Sequence, residues 1–334
     1  MPQLSPETIW NFNEKELLNL LESGFPTPKR KEIRFYAPGF TYYKTKHYCS
    51  SPNSFQTISI TGTACALKCK HCGAKVLETM HPAPSPKELF DLCTKLKQNG
   101  AEGCLVSGGC LPDGSVPIER FVGTLGRIKH ELGLTVFVHT GIINFKSAVS
   151  LKKAGIDAAL IDVIGSAETI RKIYNLKVTP KDYADSLKAL DKAELPFVPH
   201  VIVGLNEGRP DGELEALKMI SQVKPSALVI IAFMPIQDTD MAKTKPPKPV
   251  DIAKVAAITR LMFPETPLIL GCMRPKGAER GATDVLALKA GVDAVAFPSE
   301  DAIEYVQNEH FQFSFSSFCC AQMYLDANQS KTRQ

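Results

Sequence analysis

The feature that most constrains the fold is an alternation, along residues 55–297, of short apolar β-branched segments with amphipathic helical patterns. This alternation is typical of βα units whose strands lie parallel in one sheet. Eight strands are predicted, at Thr57–Thr61, Cys104–Ser107, Thr135–Thr140, Ala158–Val163, Phe197–Val203, Leu228–Met234, Pro267–Cys272 and Ala294–Phe297. Eight βα units are enough to close a TIM-type (β/α)8 barrel. An open, doubly wound α/β sheet is the alternative that the pattern leaves.

Residues that cap helices occur where this alternation needs helix boundaries. Ser85, Pro86 and Glu88 form a predicted capping box with proline at the first helical position. Thr179, followed by a proline and then Asp182, repeats the pattern. Glycines stand between helical patterns and the following strands, where helix C-caps belong: Gly100, Gly155 and Gly291.

Composition divides the chain into an N-terminal extension at residues 1–50, the barrel at 51–305 and a C-terminal tail at 306–334. The extension is predicted to begin with a helix, and its basic residues 29–31 are interpreted as a solvated linker. The alternating segment FQFSFSS of the tail is expected to cross back over the barrel mouth as a cap.

The charge and hydropathy of the chain exclude several classes of partner. Its 39 basic and 35 acidic residues leave a net charge of only +4, and no basic stripe stands out, so nucleic acid is not an expected partner. The apolar run at residues 227–235 is far too short to span a membrane. The first residues lack the pattern of a signal peptide. We therefore expect a cytoplasmic protein.

Cysteine spacing carries the strongest chemical information in the chain. Ten cysteines are many for a cytoplasmic protein, where disulfides are rare, so the set favours metal or iron–sulfur ligation. Cys65, Cys69 and Cys72 form a C-x3-C-x2-C group on a loop that leaves the first predicted strand. Three thiolates can bind three irons of a cubane and leave the fourth iron open. Zinc sites usually pair two C-x2-C units, so the triple favours an iron–sulfur cluster over zinc.

The segment Cys65-Ala-Leu-Lys-Cys69-Lys-His-Cys72 resembles the defining motif of the radical S-adenosylmethionine (SAM) superfamily. The resemblance implies a [4Fe–4S] cluster whose open iron binds the amino and carboxylate groups of SAM. Electron donation then cleaves SAM and yields a 5′-deoxyadenosyl radical that abstracts a substrate hydrogen. The residue before the third cysteine is often aromatic in this superfamily, and here it is His71.

Two segments resemble the parts of that superfamily that bind the polar groups of SAM. Ser107-Gly108-Gly109-Cys110 is similar to the Gly-Gly-Glu segment that receives the methionyl amino group, although Cys110 replaces the glutamate. That replacement leaves backbone carbonyls and Ser107 for the contact. Asp162, at the end of the fourth predicted strand, is expected to bind the ribose hydroxyls.

Later segments resemble those that contact adenine and close the cofactor site. Residues 201–207 are similar to G-x-I-x-G-x-x-E, which implies contacts from Gly204 and Glu207, with His200 in place of the first glycine. Residues 233–241, which end at Met241, are similar to P-x-P-G-T-x-M. Arg274 has two interpretations, binding a carboxylate of substrate or cofactor, or pairing with a neighbouring acid. His139 and His200 are predicted to be hydrogen-bonded pocket histidines and not metal ligands.

Within the superfamily the chain, over about residues 50–300, most resembles biotin synthase and its relatives. The segment LGCMRPKG resembles an element of that branch, and the segments FPSEDAIEYV and FCCA resemble archaeal-type biotin synthase-related proteins, two of which act together as a two-component lipoyl synthase. The resemblance implies sulfur insertion into an octanoyl chain on a lipoyl-domain or glycine-cleavage carrier protein. It also implies a second synthase subunit and a ferredoxin- or flavodoxin-type electron donor.

Sulfur insertion in this family implies an auxiliary iron–sulfur cluster as the sulfur source. The candidate ligands outside the loop are Cys49, Cys110, Cys272, Cys319 and Cys320. Cys93 and Cys104 are predicted core residues, because they fall on an apolar helical face and in a buried strand. The C-x4-C-x5-C triplet of known lipoyl synthases is absent, which argues against the ordinary single-chain enzyme.

Two other classes of function stay open at this point. A radical mutase or lyase similar to methylornithine synthase or the hydrogenase maturation enzyme would need no sacrificial cluster. A non-catalytic iron–sulfur electron carrier would not cleave SAM, and the open iron implied by three cysteines argues against it.

Overall fold

A computed structural model describes residues 4–25 and 32–332, with side chains as far as residue 327. The basic residues 29–31 lie outside the described residues. The strands in this part of the chain are β1 (Glu32–Tyr36), β2 (Phe55–Ser59), β3 (His81–Pro82), β4 (Gly103–Ser107), β5 (Thr135–His139), β6 (Ala158–Asp162), β7 (Phe197–Val203), β8 (Leu228–Ala232), β9 (Leu268–Leu270), β10 (Ala294–Ala296) and β11 (Gln312–Ser316).

Helices precede, separate and follow these strands. They are α1 (Pro6–Trp10), α2 (Glu14–Glu22), α3 (Pro86–Gln98), α4 (Val122–Leu132), α5 (Phe145–Lys153), α6 (Ala167–Tyr174), α7 (Pro180–Lys192), α8 (Glu213–Ile220), α9 (Pro249–Met262), α10 (Arg280–Lys289), α11 (Glu300–Asn308) and α12 (Met323–Thr332). Short 3₁₀ helices occur at Lys75–Thr79, Ile118–Phe121 and Cys320–Gln322. None of the described helices is both long enough and apolar enough to cross a membrane.

The strands form one parallel sheet in the order β11-β1-β10-β9-β8-β7-β6-β5-β4-β2-β3. The predicted α/β barrel architecture is confirmed, as a curled sheet that makes a partial barrel: the end strands β3 and β11 do not pair with each other in the described residues. All eight predicted strands are present, as β2 and β4 to β10. The sequence missed β1, β3 and β11, which lie at the ends of the sheet or next to an end strand.

The predicted capping residues do cap helices. Ser85 accepts a hydrogen bond from the Glu88 amide at the start of α3. Thr179 and Asp182 form a reciprocal capping box at the start of α7. The glycines expected at C-caps have positive φ: Gly100 at 88°, Gly155 at 77° and Gly291 at 104°. Local sequence therefore sets these boundaries, because only glycine enters this region without steric cost.

Two apolar clusters correspond to the two faces of the sheet. The larger cluster joins the strands to the surrounding helices. The smaller one contains side chains from alternate strand positions, among them Phe55, Phe137, Leu160, Val198 and Ile269. Since successive strand residues face opposite sides, this second cluster lies on the inner face, and we call it the interior cluster. The residues two positions after its members also point inward.

The C-terminal tail packs into the interior cluster through Cys320, Ala321, Met323 and Tyr324. The segment FQFSFSS forms β11, an edge strand parallel to β1. The Tyr324 hydroxyl then donates to the carbonyl of Asp157, directly before β6. The tail therefore closes the amino end of β6, whereas the sequence predicted a cap over the mouth at the carboxyl ends.

Candidate active site at the three-cysteine loop

The cysteine loop follows β2 at the carboxyl end of the strand, where barrel enzymes place their active sites. Cys69 is buried, while Cys65 and Cys72 are half-buried. The loop turns tightly, since the Gly73 amide donates to the Cys69 carbonyl at 2.7 Å. Gly73 has a φ of 50°, in the left-handed region that glycine tolerates best. The sequence therefore folds the Cys69 and Cys72 thiols onto one short turn.

The electrostatics of the loop favour thiolate at one of its sulfurs. The ligand atoms of Cys69, His71 and Cys72 lie within 4.8 Å of one another. A hydrogen bond from Cys69, together with His71, lowers the pKa of Cys72 to about 4. The same hydrogen bond and burial raise the pKa of Cys69. Thiolates are the ligands of iron–sulfur clusters, so Cys69 and Cys72 fit the [4Fe–4S] cluster that the spacing predicts, whereas the Cys65 sulfur lies outside this group of ligand atoms.

The predicted Gly-Gly segment after β4 lies directly against the loop. The Gly109 amide donates to Thr61 Oγ1 at 2.7 Å. A Cβ at Gly109 would lie 2.0 Å from the Ala64 carbonyl oxygen and 2.6 Å from Cys65 Cβ. Only a residue without a side chain fits here, because backbone cannot move aside cheaply. The structure thus brings Gly108 and Gly109 beside the cysteines, and it adds Thr61, which sequence reasoning missed.

Cys110 belongs to the loop region and not to a separate group. Its carbonyl accepts from the Ala66 amide at 2.9 Å. Burial, and then the nearby Cys65, raises the pKa of the Cys110 thiol to about 12, so it stays protonated at neutral pH. Cys110 stands where the superfamily segment carries glutamate, and a neutral thiol is a weak hydrogen-bond partner.

Two other parts of the barrel, the end of α6 and the segment after β8, contact the cysteine loop. The Lys70 amide donates to the Ile173 carbonyl at 2.8 Å, and the Met241 amide donates to the Lys70 carbonyl at 3.3 Å. The Tyr174 ring lies 5.0 Å from the His71 ring. Both Tyr174 Oη and His71 Nδ1 are buried without a hydrogen-bond partner. No sequence pattern pointed to Tyr174, since it ends an ordinary amphipathic helix.

Asp162 lies in a group with two histidines on the inner face of the sheet. Its Oδ1 is 3.5 Å from His139 Nε2. His200, its neighbour on β7, is the register partner of Asp162. Burial by itself raises the pKa of Asp162, but His139 and then His200 outweigh it and lower that pKa, so the carboxylate is charged. The predicted ribose-binding residue is therefore an anionic acceptor.

The turn that is predicted to contact adenine, residues 201–207, contains the buried Gly204 and the exposed Glu207. The Gly204 amide donates to Glu213 Oε1 at 2.8 Å. Burial raises the pKa of Glu213 to about 7. Glu207, in contrast, is half-exposed and pairs with Lys172 at 3.0 Å on the rim. Sequence reasoning named Glu207 and missed Glu213, whose buried carboxyl supports the turn from α8.

Arg274 is a structural residue, which corrects its predicted role in binding a cofactor. Its side chain is fully buried and makes two hydrogen bonds to Asp284, at 2.7 and 3.0 Å. The remaining donors reach three backbone carbonyls, those of Gly271, Ala296 and Phe297. Of the two interpretations, pairing with a neighbouring acid is the one that the structure supports.

The five cysteines proposed for an auxiliary cluster fall in three places, which corrects their treatment as one set. Cys49 is exposed and Cys110 lies against the loop, whereas Cys272, Cys319 and Cys320 contact the interior cluster. Burial, and then Cys319, raises the pKa of Cys272 to about 11. Within the described residues, none of these three belongs to a group of three ligand atoms within 4.8 Å. Cys93 and Cys104 are fully buried, as predicted.

A groove of about 780 Å³ lies beside the mouth, and none of the predicted site residues lines it. Loops after β4 and β5 and one face of α7 form its walls. Leu111 and Phe145, which line it, are 42% and 43% exposed, which is unusual for large apolar side chains in this chain. The groove is a feature that sequence reasoning did not find.

Sequence comparisons give the chain's relatives. Residues 59–220 match the family model described as the Radical SAM superfamily. The biotin synthase of Leptospira biflexa is 26% identical over 284 residues, which cover 81% of this chain and 75% of that protein. The biotin synthase of Hyphomonas neptunium is 24% identical, over 72% of this chain and 75% of its own length.

Solved structures show the same fold. The hydrogenase maturase HydG has a TM-score of 0.63 at 15% identity, covering 98% of this chain and 75% of that one. Methylornithine synthase (PylB) has a TM-score of 0.56 at 15% identity, covering 92% and 96%. These structures show the fold alone, whereas the family-model match and the two biotin synthases make the chain similar to the radical SAM superfamily and distantly similar to biotin synthase.

Proposed function

We propose that this enzyme cleaves SAM reductively and inserts sulfur into an octanoyl chain carried on a lipoyl-domain or glycine-cleavage carrier protein. The observation that carries the radical part is the close approach of Gly109 to Cys65, the first cysteine of the C-x3-C-x2-C loop, at the carboxyl end of the sheet. The sulfur part is supported by the similarity to biotin synthases, over 81% of the chain for one of them. The expected cofactors are a [4Fe–4S] cluster and SAM.

Each residue around the mouth has a part in this proposal. When bound, the cluster and SAM would supply an electron and a carbon-centred radical. Cys65, Cys69 and Cys72 would hold the cluster, and the Gly108–Gly109 backbone, fixed by Thr61, would meet the methionyl group. Asp162 would accept hydrogen bonds from ribose hydroxyls, because its carboxylate is charged and partly exposed.

The sulfur source in this proposal is an auxiliary iron–sulfur cluster with ligands among Cys272, Cys319 and Cys320. Cys320 belongs to the interior cluster, and Cys272 and Cys319 pack against it. After burial, the nearby Cys319 is the largest cause of the raised pKa of Cys272. A second synthase subunit and a ferredoxin- or flavodoxin-type donor are the other proposed partners. The groove beside the mouth, with exposed Leu111 and Phe145, is the proposed approach surface for the carrier protein.

A second candidate is a radical mutase or lyase acting on a small molecule. The observation that favours it is that Cys272, Cys319 and Cys320 do not bring their sulfur atoms together as a ligand group. Their environment is apolar, which suits core residues as well as it suits a buried cluster.

Anaerobic reconstitution with dithionite tests the radical step. Wild type should form 5′-deoxyadenosine, and the Cys65→Ala/Cys69→Ala/Cys72→Ala variant should form none. Cys49→Ala is the matched control, because Cys49 is exposed and is not one of the loop cysteines. Product formation by the triple variant would refute the assignment of the loop.

Iron and acid-labile sulfide analysis tests the sulfur step. The Cys319→Ala/Cys320→Ala variant should keep SAM cleavage but lose about half of its iron and all thiolated carrier product. Iron content unchanged by the double substitution would return these cysteines to a structural role and favour the mutase or lyase.

A further inference from the structure

Three side chains from neighbouring strands converge on the floor of the mouth, and we call them the His–Asp–His trio. His139 ends β5, Asp162 ends β6 and His200 lies in β7. Each stands two residues after an interior-cluster member (Phe137, Leu160 and Val198), so all three point inward, one layer above that cluster. Their ligand atoms all lie within 4.8 Å of one another.

The spacing of the trio fits the coordination of a single ion. Metal–nitrogen and metal–oxygen bonds of zinc are about 2.0–2.2 Å, so neighbouring ligands of a tetrahedral ion are about 3.4 Å apart. The His139 Nε2 to Asp162 Oδ1 distance is 3.5 Å. Two imidazoles with one carboxylate are a ligand set that holds Zn²⁺ or Fe²⁺ and leaves coordination positions open.

Hydrogen bonding prepares His200 for this role. Its Nδ1 lies 3.1 Å from the Val198 carbonyl oxygen, which can only accept, so Nδ1 carries the proton. The lone pair is then on Nε2. Metal-binding histidines commonly donate their second ring nitrogen to a backbone carbonyl in this way.

The other two members complete the set. The Asp162 carboxylate adjoins His139, and the two side chains keep 24% (His139) and 31% (Asp162) exposure, so the site is open to solvent. A carboxylate has two oxygens, so an ion on one oxygen leaves the other free for a hydrogen bond. The trio and the expected ribose contact are therefore compatible.

We propose, against the prediction from sequence that the two histidines are not metal ligands, that His139, Asp162 and His200 bind one divalent first-row transition metal ion of the Zn²⁺ or Fe²⁺ type, separate from the iron–sulfur cluster. The three ligands come from three adjacent strands of the sheet, so the site does not depend on a flexible surface loop. Its open positions face the mouth, where an oxygen or sulfur atom of the substrate can bind.

Cobalt is the probe, because its spectrum distinguishes nitrogen and oxygen ligands from thiolates. The test uses the full-length Cys65→Ala/Cys69→Ala/Cys72→Ala protein, which cannot hold the loop cluster. It should bind one equivalent of Co²⁺ without a cobalt–thiolate charge-transfer band, and Zn²⁺ should displace it. Adding His139→Ala should weaken Co²⁺ binding at least about 10-fold. His47→Ala, which removes an exposed histidine, should leave it unchanged.

A second measurement covers the case in which the triple variant does not fold. The reconstituted wild type, incubated with Zn²⁺ and desalted, should retain one zinc that the His139→Ala holoenzyme lacks, with equal cluster absorbance. A thiolate band, no retained zinc, or binding unaltered by His139→Ala would overturn the proposal. Formation of 5′-deoxyadenosine is scored separately, so failure of the metal site and failure of the radical function are distinguishable.

Discussion

The two cysteine-containing regions of the barrel differ in surroundings more than in composition. At the carboxyl end, Cys65, Cys69 and Cys72 lie on a tight turn beside a histidine and the polar trio. Within the barrel, Cys272, Cys319 and Cys320 lie among aromatic and aliphatic side chains. A hydrogen bond from a nearby cysteine lowers the pKa of one thiol in each region, Cys72 in the first and Cys319 in the second. In the first region His71 adds to this effect, whereas in the second burial raises the pKa of Cys272. The comparison teaches that environment decides whether a cysteine is prepared for metal.

The same contrast applies to the other polar residues of the two regions. Asp162 in the mouth region keeps partial exposure and has histidine neighbours that leave room for a ligand. Arg274, beside the interior region, has every donor direction occupied by protein oxygen atoms. Variants in the mouth should therefore affect ligand binding, and variants in the interior region should affect stability. Four substitutions test that division.

Arg274→Ala should have the largest effect on stability. Removing one partner of a fully buried ion pair leaves the Asp284 charge uncompensated, which costs about 3–5 kcal/mol of the free energy of unfolding. Chemical denaturation measures this. Arg127→Ala is the control, because its pair with Glu131 is exposed and should contribute little. A loss of SAM affinity without a loss of stability would restore the ligand-binding interpretation of Arg274.

Asp162→Ala should weaken SAM binding and leave the fold intact. Loss of a charge-assisted hydrogen bond costs about 1.5–3 kcal/mol, which is about a 10- to 150-fold increase in Kd. Equilibrium dialysis against the reconstituted protein measures this increase. Asp185→Ala, on the exposed face of α7, should leave Kd unaltered. An unchanged Kd in Asp162→Ala would remove this residue from the ribose role.

Gly109→Ala should disturb both the loop and its support. The new Cβ meets backbone at 2.0 Å, and forced overpacking of this kind costs about 1–3 kcal/mol. We expect a lower denaturation midpoint together with reduced cluster iron. Gly123→Ala, in α4 with no atom within 4 Å of the added Cβ, should be neutral or stabilising. Full iron content in Gly109→Ala would contradict the close approach.

Tyr324→Phe should have the smallest effect, confined to stability. It removes the hydrogen bond to the Asp157 carbonyl at the amino end of β6, which contributes about 0.5–1.5 kcal/mol. The rate of 5′-deoxyadenosine formation should match that of wild type. A strong loss of that activity at unchanged stability would mean that the tail communicates with the mouth, and the division between the two regions would fail.

Local patterns in the sequence were sufficient for much of the fold. The eight strands and the caps at Ser85 and Thr179 follow from alternation and capping chemistry, which operate within a few residues. Strand β1 was not predicted, because its sequence, EIRFY, mixes charged and apolar residues. The strands that pair with it, β10 and β11, are also far from it in the chain. Pairing with distant strands stabilises it, and no local pattern records that pairing.

The candidate site shows the same limit. The spacing of Cys65, Cys69 and Cys72 predicted a cluster because the three ligands are adjacent in sequence. Thr61 and Tyr174 were missed, since Thr61 contacts Gly109 of the next βα unit and Tyr174 approaches His71 from α6, and both contacts depend on packing between units. The auxiliary cysteines were grouped too broadly, because counting cysteines gives no information on which of them face one another.

The sequence by itself determined the α/β architecture, the three-cysteine loop and the carboxyl-end location of that loop. Periodicity, capping and ligand spacing are short-range properties, so the amino-acid order carries them directly. Tertiary structure alone decided that the tail fills the amino end, that Arg274 pairs with Asp284, and that His139, Asp162 and His200 converge. These outcomes depend on the curl and register of the parallel sheet, which bring together residues many positions apart in the chain.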